Sequence, residues 1–210
     1  MTLGLAVPFT DPAALLAWAR RADAGPFGRI GVPDRIVYDN PEPMVMLAAM
    51  AAATERIRVQ SEVVLAPLRD PVLLAKQSAT LDRLSGGRFS LGLAVGARED
   101  DFLAVGADHA SRGRRMDEQL AIMRRVWAGE PVVAGTGPVG PAPSRVGGPE
   151  LLFGGFAPEL AAQSVASMAT TAGAIRDVVA AYRDAGAHEV MLSCWSDDLD
   201  QIGRLADLLS

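Results

Sequence analysis

Three stretches of this 210-residue chain combine residue types suited to binding charge or moving a proton. Gly154-Gly155-Phe156-Ala157 leads into a helix predicted from about Pro158. Glycines ahead of a helix N-terminus expose backbone N–H groups, and the macrodipole favours an anion there. Pro158 lacks an N–H and the loop holds no Ser or Thr, so the motif is weak when taken alone. Ala94-Val95-Gly96-Ala97-Arg98 ends an apolar run and offers one cation, Arg98, whose bland counterpart is a surface arginine at a strand terminus. Asp34-Arg35 follows another apolar run. An arginine stays protonated at neutral pH and cannot be a general base, but it can stabilise a developing anion. His109, in a polar loop, and His188, ahead of the last strand, read as solvated. No Ser-His-Asp or metal-ligand constellation can be assembled. Cys194 is the only cysteine, so no disulfide forms within this chain. Asp82, Arg83 and Arg88 lie where a strand begins and read as ion pairs that brace the fold. Cys194-Trp195 reads equally as pocket lining or as core.

The elements that must position these residues alternate. Leu3 to Val7 is a short apolar strand, and Asp11-Pro12 supplies an N-cap with proline at the first helical position, opening a helix to about Ala24. Strands follow at Phe27 to Val32, Ile57 to Leu65, Arg88 to Ala94, Glu150 to Phe153 and Glu189 to Cys194. Helices are predicted at Pro43 to Thr54, Pro71 to Leu84, Gly113 to Trp127, Pro158 to Met168, Thr171 to Ala185 and Asp198 to Leu209. Gly129 to Pro149, rich in Gly and Pro, is an excursion without regular structure. Strand–helix alternation implies parallel β/α units in one domain, residues 1–210. Two architectures satisfy it, a doubly wound sheet and a barrel. The dinucleotide-type glycine fingerprint is missing after the first strand, which disfavours the first. About six strands fall short of an eightfold barrel, which takes about 250 residues.

A net charge of -5 and a pI of 5.1 argue against nucleic acid as a partner. No apolar run approaches the roughly 20 residues of a membrane span. The N-terminus lacks a basic start and a long apolar run, so a cytoplasmic protein is expected.

Six ordered blocks are similar to the luciferase-like monooxygenase family of flavin- or deazaflavin-dependent oxidoreductases. The most specific are Pro67-Leu-Arg-Asp-Pro71, Leu81-Asp-Arg-Leu-Ser-Gly-Gly-Arg88, and Gly92-Leu-Ala-Val-Gly96 with Arg98 and Asp101-Phe102. Arg112-Gly-Arg-Arg-Met-Asp-Glu-Gln-Leu120 through Trp127, Ala51-Ala-Ala-Thr-Glu-Arg-Ile57 and Phe153-Gly-Gly-Phe156 complete the set. The resemblance implies an α/β fold, a truncated TIM (β/α) barrel lacking roughly the sixth and seventh β/α units. Where the family carries its sixth strand, this chain has Ser167-Met168-Ala169-Thr170. In size it is similar to the family's shortened non-fluorescent flavoprotein.

The same resemblance implies FMN as cofactor, with a deazaflavin coenzyme as alternative. The contacts it implies are Glu62 and Val63, joined by a non-proline cis peptide under the ring; Ala94, Val95, Gly96 and Arg98 at the fourth strand's end; and Gly154, Gly155 and Phe156 near the phosphate. Val95 stands where luciferases have a phosphate-holding arginine, and Arg35 where the family often has a histidine, leaving Asp34 and Arg35 as the catalytic candidates. The implied activity is oxidation of a small organic substrate by reduced flavin and oxygen, the flavin coming from a partner reductase. A flavin-sequestering protein and a degenerate scaffold subunit are the alternatives. The Ala-rich helix Pro43 to Thr54 and its neighbour Pro71 to Leu84 suggest a symmetric homodimer.

Overall fold

The computed structural model describes residues 1–8, 11–154, 171–194, 196 and 198–209. Its strands are β1 (Thr2–Ala6), β2 (Arg29–Val32), β3 (Arg58–Ser61), β4 (Val64–Leu65), β5 (Phe89–Ala94), β6 (Glu150–Phe153) and β7 (Glu189–Ser193). The helices are α1 (Pro12–Ala24), α2 (Pro43–Ala52), α3 (Pro71–Leu84), α4 (Glu99–Ala104), α5 (Arg112–Trp127), α6 (Ala172–Asp184) and α7 (Asp200–Leu209).

Three of the helices start alike. Asp11, Glu42 and Asp70 each accept a backbone N–H of the first turn, at 2.8–3.2 Å, and each is followed by a proline whose missing N–H costs nothing there. The acidic cap also suits the positive end of the helix dipole. Helix α4 was not expected from sequence: six residues are too few to show a helical period. The strand read as continuous from Ile57 to Leu65 is broken into β3 and β4, with a cis peptide bond between Glu62 and Val63.

All strand pairs are parallel. β3 and β4 occupy one position beside β5, so the lateral order is β6, β5, β3/β4, β2, β1, β7. This is an open sheet with strands in barrel sequence. Among the described residues, β6 and β7 do not pair with each other.

The sheet's two faces differ in chemistry. Leu5, Ile30, Val59, Phe89, Leu91 and Leu93 are fully buried and form the main core with Trp18, Leu47, Met50, Leu74 and Met123 of the surrounding helices. Burying each such side chain contributes roughly 1.5–3 kcal/mol. The inward face is polar at the N-terminal ends of the strands. There Arg29 of β2 pairs with Glu150 of β6 at 2.9 Å and with Glu189 of β7 at 2.8 Å, joining the two edge strands through one guanidinium. Glu150 also accepts from Arg58 of β3 at 3.1 Å and from the Ser90 hydroxyl of β5 at 2.6 Å. Hydrogen bonds from Arg29 and Ser90 and the charges of Arg29 and Arg58 hold the Glu150 carboxyl down at about 2, against its partial burial.

The bracing expected of Asp82, Arg83 and Arg88 takes another form than ion pairs. Arg88 donates to the carbonyls of Ala51, Thr54 and Ile57, closing the C-terminal end of α2. Asp82 accepts the Ser144 N–H at 2.6 Å and so fastens the Gly129–Pro149 excursion; Arg83 is exposed. A β-carbon on Gly148 would lie 2.4 Å from the Trp127 ring, so the excursion's return lies flat on that indole.

A depressed carboxylate stabilises the fold above its unfolded value and loses that contribution as pH falls through its folded one. Urea denaturation of the wild type and of Glu150→Gln should therefore show a stability gap at pH 6. That gap should narrow as pH drops from 4.5 towards about 2.

Candidate functional site

The C-terminal ends of the strands lie together. Val7 N–H donates to Gly31, Glu62 N–H to Val32, Cys194 N–H to Ala6 and Gly154 N–H to Leu93, all at 2.8–3.0 Å, so the parallel ladder carries past the strand ends. Between β3 and β5, where the ladder is interrupted, the buried Ser61 hydroxyl bridges the gap. Its Oγ accepts the Gly92 N–H and donates to the Gly92 carbonyl, both at 2.8 Å. Position 92 admits only glycine, because a β-carbon there would stand 2.2 Å from the Ser61 carbonyl oxygen.

Val63 is the meeting point of three segments. Its methyls would be 3.1 Å from a β-carbon on Gly92 and 2.9 Å from one on Gly154. The predicted residues Glu62, Val63 and Gly154 are thus in one place. Ala94 is beside them, in register with Leu65. Gly96 turns the chain at φ +79, and a β-carbon on it would stand 3.1 Å from the Phe102 ring. Val95 is exposed. Arg98 is exposed as well and paired with Asp100 at 2.9 Å. Gly155 and Phe156 lie outside the described residues, as does Trp195. Cys194 is buried, and burial pushes its thiol up to about 11, an inert state.

The Glu62 side chain turns inward across Gly31 of β2, whose missing β-carbon leaves the space: an added one would be 2.8 Å from Glu62 Oε2. The Gln60 amide donates to that oxygen, and Arg29 Nη1 donates to Gln60 Oε1 at 3.1 Å. Burial pushes the Glu62 carboxyl above its ordinary value, against the Gln60 hydrogen bond.

Asp34 and Arg35 each have partners. Asp34, buried, accepts both a two-oxygen contact from Arg69 Nη2 at 3.0 Å and the Leu65 N–H at 2.9 Å. Burial pushes its carboxyl up, against the pull of Arg69. Arg35 donates through Nε to Asp101 at 2.8 Å, and its guanidinium lies 5.7 Å from the Tyr38 ring centre. Asp101 also accepts the N–H groups of Ile36 and Val37. Burial of Asp101 is outweighed by Val37, Arg35 and Ile36, which hold its carboxyl below the ordinary range. The β2–α2 loop is therefore pinned over the strand ends from two sides, leaving Ile36, Val37 and Tyr38 exposed. Arg69 and Asp101 were legible only as parts of sequence blocks; Ser61 carried no signal.

On the inward face, the last positions of β1, β5 and β7 are Ala6, Ala94 and Ser193, with Gly154 just past β6. These small residues allow a flat ring system to approach at backbone level, so the residues present fit a flavin-type cofactor.

The profile of the luciferase-like monooxygenase family matches residues 2–189. The chain belongs to that family. An uncharacterised protein of Mycobacterium tuberculosis is 30% identical over 152 residues, 62% of this chain and 53% of that protein. The oxygenase component of a flavin-dependent trigonelline monooxygenase of Acinetobacter baylyi is 32% identical over 92 residues, 43% of this chain and 26% of that one. The chain thus spans about half, or less, of the curated relatives it matches.

Among solved structures, the fold is that of monooxygenase RslO1 from Streptomyces bottropensis (TM-score 0.69, 24% identity, 99% of this chain and 77% of that one). It is also that of the oxygenating constituent of 3,6-diketocamphane monooxygenase from Pseudomonas putida, solved with FMN (TM-score 0.64, 23% identity, 75% and 52%). A third is the coenzyme F420 dependent tetrahydromethanopterin reductase from Methanopyrus kandleri (TM-score 0.60, 21% identity, 78% and 52%).

Replacing Asp34 with Asn removes the charge facing Arg69, which keeps only Glu42 as an ion-pair partner among the described residues. An expected loss of about 2–4 kcal/mol follows from leaving a largely buried cation underpaired. A shift in the urea midpoint reads it; an unchanged midpoint would mean that the Arg69 clamp carries no stability.

Proposed function

We propose that this chain binds FMN at the C-terminal ends of β3 to β6 and acts as a flavin-dependent oxidoreductase, oxidising a small organic substrate with reduced flavin and oxygen. A deazaflavin coenzyme is the alternative cofactor. The observation that supports the reading is the contact of Val63 with both Gly92 and Gly154, beside Ala94, at the end of the sheet where β/α barrels carry function.

When bound, the cofactor supplies the redox chemistry. The chain's own residues supply position and electrostatics. Val63 would form the floor and Ala94 and Gly154 would allow backbone-level approach, while Gly155 and Phe156, outside the described residues, are the phosphate contacts that family resemblance implies. Gly96, Arg98 and the exposed Val95, at the end of β5, would border the bound cofactor. Arg35, fixed by Asp101, contributes positive charge near the strand ends and moves no proton itself. FMN in the Pseudomonas protein and coenzyme F420 in the Methanopyrus one motivate the two cofactors. The oxygenase-component name of the Acinetobacter relative supports a partner flavin reductase. A cytoplasmic setting is part of the same reading.

A second reading is a protein that sequesters flavin without turnover. What favours it is that both catalytic candidates are engaged, Asp34 by Arg69 and Arg35 by Asp101.

Anaerobic titration with reduced FMN should give roughly micromolar binding. Gly154→Leu, which displaces Val63, should weaken it at least about tenfold, about 1.4 kcal/mol. Oxygen consumption with substrate then marks the oxidoreductase, and binding without turnover marks sequestration. No binding of either cofactor would overturn both and leave a scaffold subunit.

The homodimer is proposed through α2 and α3. Its support is an exposed apolar strip where Val45 is 71% and Leu73 59% accessible, next to the small Ala49 and Ala52. Light scattering should report a dimer that Val45→Arg converts to monomer; equal masses would sink this interface.

A further inference from the structure

We propose that the Glu62 carboxyl is the proton-holding group of the flavin site, taking up a proton from solvent when a flavin ring settles over the adjoining Glu62-Val63 backbone. The inference rests on the flavin-binding reading and adds to it a residue that senses the bound ring.

Geometry carries it. Glu62 and Val63 are neighbours in sequence, one leaning towards β2 and the other towards β5 and β6. The Val63 side chain faces Gly92 and Gly154 at the strand ends, while the Glu62 side chain lies across Gly31 inside the curl of the sheet. Among the described residues, no cation is in direct contact with the carboxylate. Its partner is the neutral Gln60 amide, and the nearest positive group, Arg29, bonds the other end of that amide and is itself paired with Glu150 and Glu189. Among the described residues, the charged groups facing Glu62 are Arg29 from β2 and Glu189 from β7; β3 contributes Gln60, and the inward positions of β5 are Ser90, Gly92 and Ala94, which carry no charge.

A carboxylate held this way is stabilised by one neutral hydrogen bond and otherwise by the water that still reaches it. Burial already favours its neutral form, and Glu189 adds to that preference. A ring covering the strand ends excludes that water, and an anionic reduced ring adds repulsion. Both effects favour the protonated acid. Proton uptake therefore accompanies binding, and by linkage the affinity of the wild type falls as pH rises through the window between the free and the bound carboxyl.

The test is calorimetric titration of the protein with reduced FMN under anaerobic conditions, in buffers of differing ionisation enthalpy, for wild type and Glu62→Gln. Protons belonging to the ligand cancel between the two proteins. The expected result is an excess uptake in the wild type approaching one proton per flavin at its maximum. Its affinity should fall by up to about tenfold per pH unit relative to Glu62→Gln across the window. The glutamine keeps an oxygen for the Gln60 amide, so its thermal midpoint should stay near the wild-type value.

If Glu62→Gln does not fold, the carboxyl infrared band of the wild type serves instead. A protonated-carboxyl band that grows on adding FMN supports the proposal. Binding with equal proton uptake in both proteins, or with an unchanged band, overturns it while leaving the flavin site intact. No flavin binding by the wild type overturns the site and this proposal together.

Discussion

One guanidinium draws the two edges of the sheet towards each other. Arg29 stands at the start of β2, in the middle of the strand order, and its donors reach Glu150 on one edge strand and Glu189 on the other. Parallel strands that do not close on each other have no backbone hydrogen bonds with which to complete a cylinder. Here the curl is held by side-chain charge instead. Arginine suits the task because its planar fork presents several donors in fixed directions and remains charged when half-buried. Ser90, Gln60 and Arg58 add hydrogen bonds around Arg29 and Glu150, so the interior of the curl at this end is a connected polar network.

That arrangement leaves the opposite end free for other work. The N-terminal ends of the strands are crowded with long charged side chains, whereas β1, β5, β6 and β7 end, on the inward face, in or beside Ala6, Ala94, Gly154 and Ser193. Gly31 and Gly92 make the middle layer possible, one by giving room to the Glu62 side chain and the other by letting the Ser61 carbonyl come close. The asymmetry matches the division of labour in β/α barrels, where stability and function occupy opposite ends. It also explains why Glu62 is unusual. It is the carboxylate where the polar layer meets the strand ends, tied to one by Gln60 and next in sequence to Val63 at the other.

The loops over the strand ends are fixed by carboxylates engaged with backbone. Asp34 holds the Leu65 N–H and Asp101 holds those of Ile36 and Val37, each with an arginine alongside. Charge-assisted bonds of this kind are stronger than neutral ones, so the β2–α2 loop is anchored although it has no regular structure. Membership of the luciferase-like monooxygenase family is in keeping with such a scaffold, even though the chain spans about half or less of its curated relatives.

Local chemistry was readable from the chain alone. An acidic residue followed by proline starts α1 at Asp11-Pro12 because cap and ring act within one turn, and α3 begins in the same way. The strand–helix alternation, the open barrel and the position of the Glu62-Val63 bond were likewise available, the last two through resemblance. The tertiary structure alone decided which charges meet. Glu150 lies 121 residues from Arg29, and Gly92 lies 31 from Ser61; no periodicity encodes either pairing. Arg35 looked unattached until α4, too short to be seen as a helix, brought Asp101 beneath it. Capping and turn chemistry act between neighbours in sequence. Ion pairing and close backbone contact depend on where the sheet's twist carries each strand.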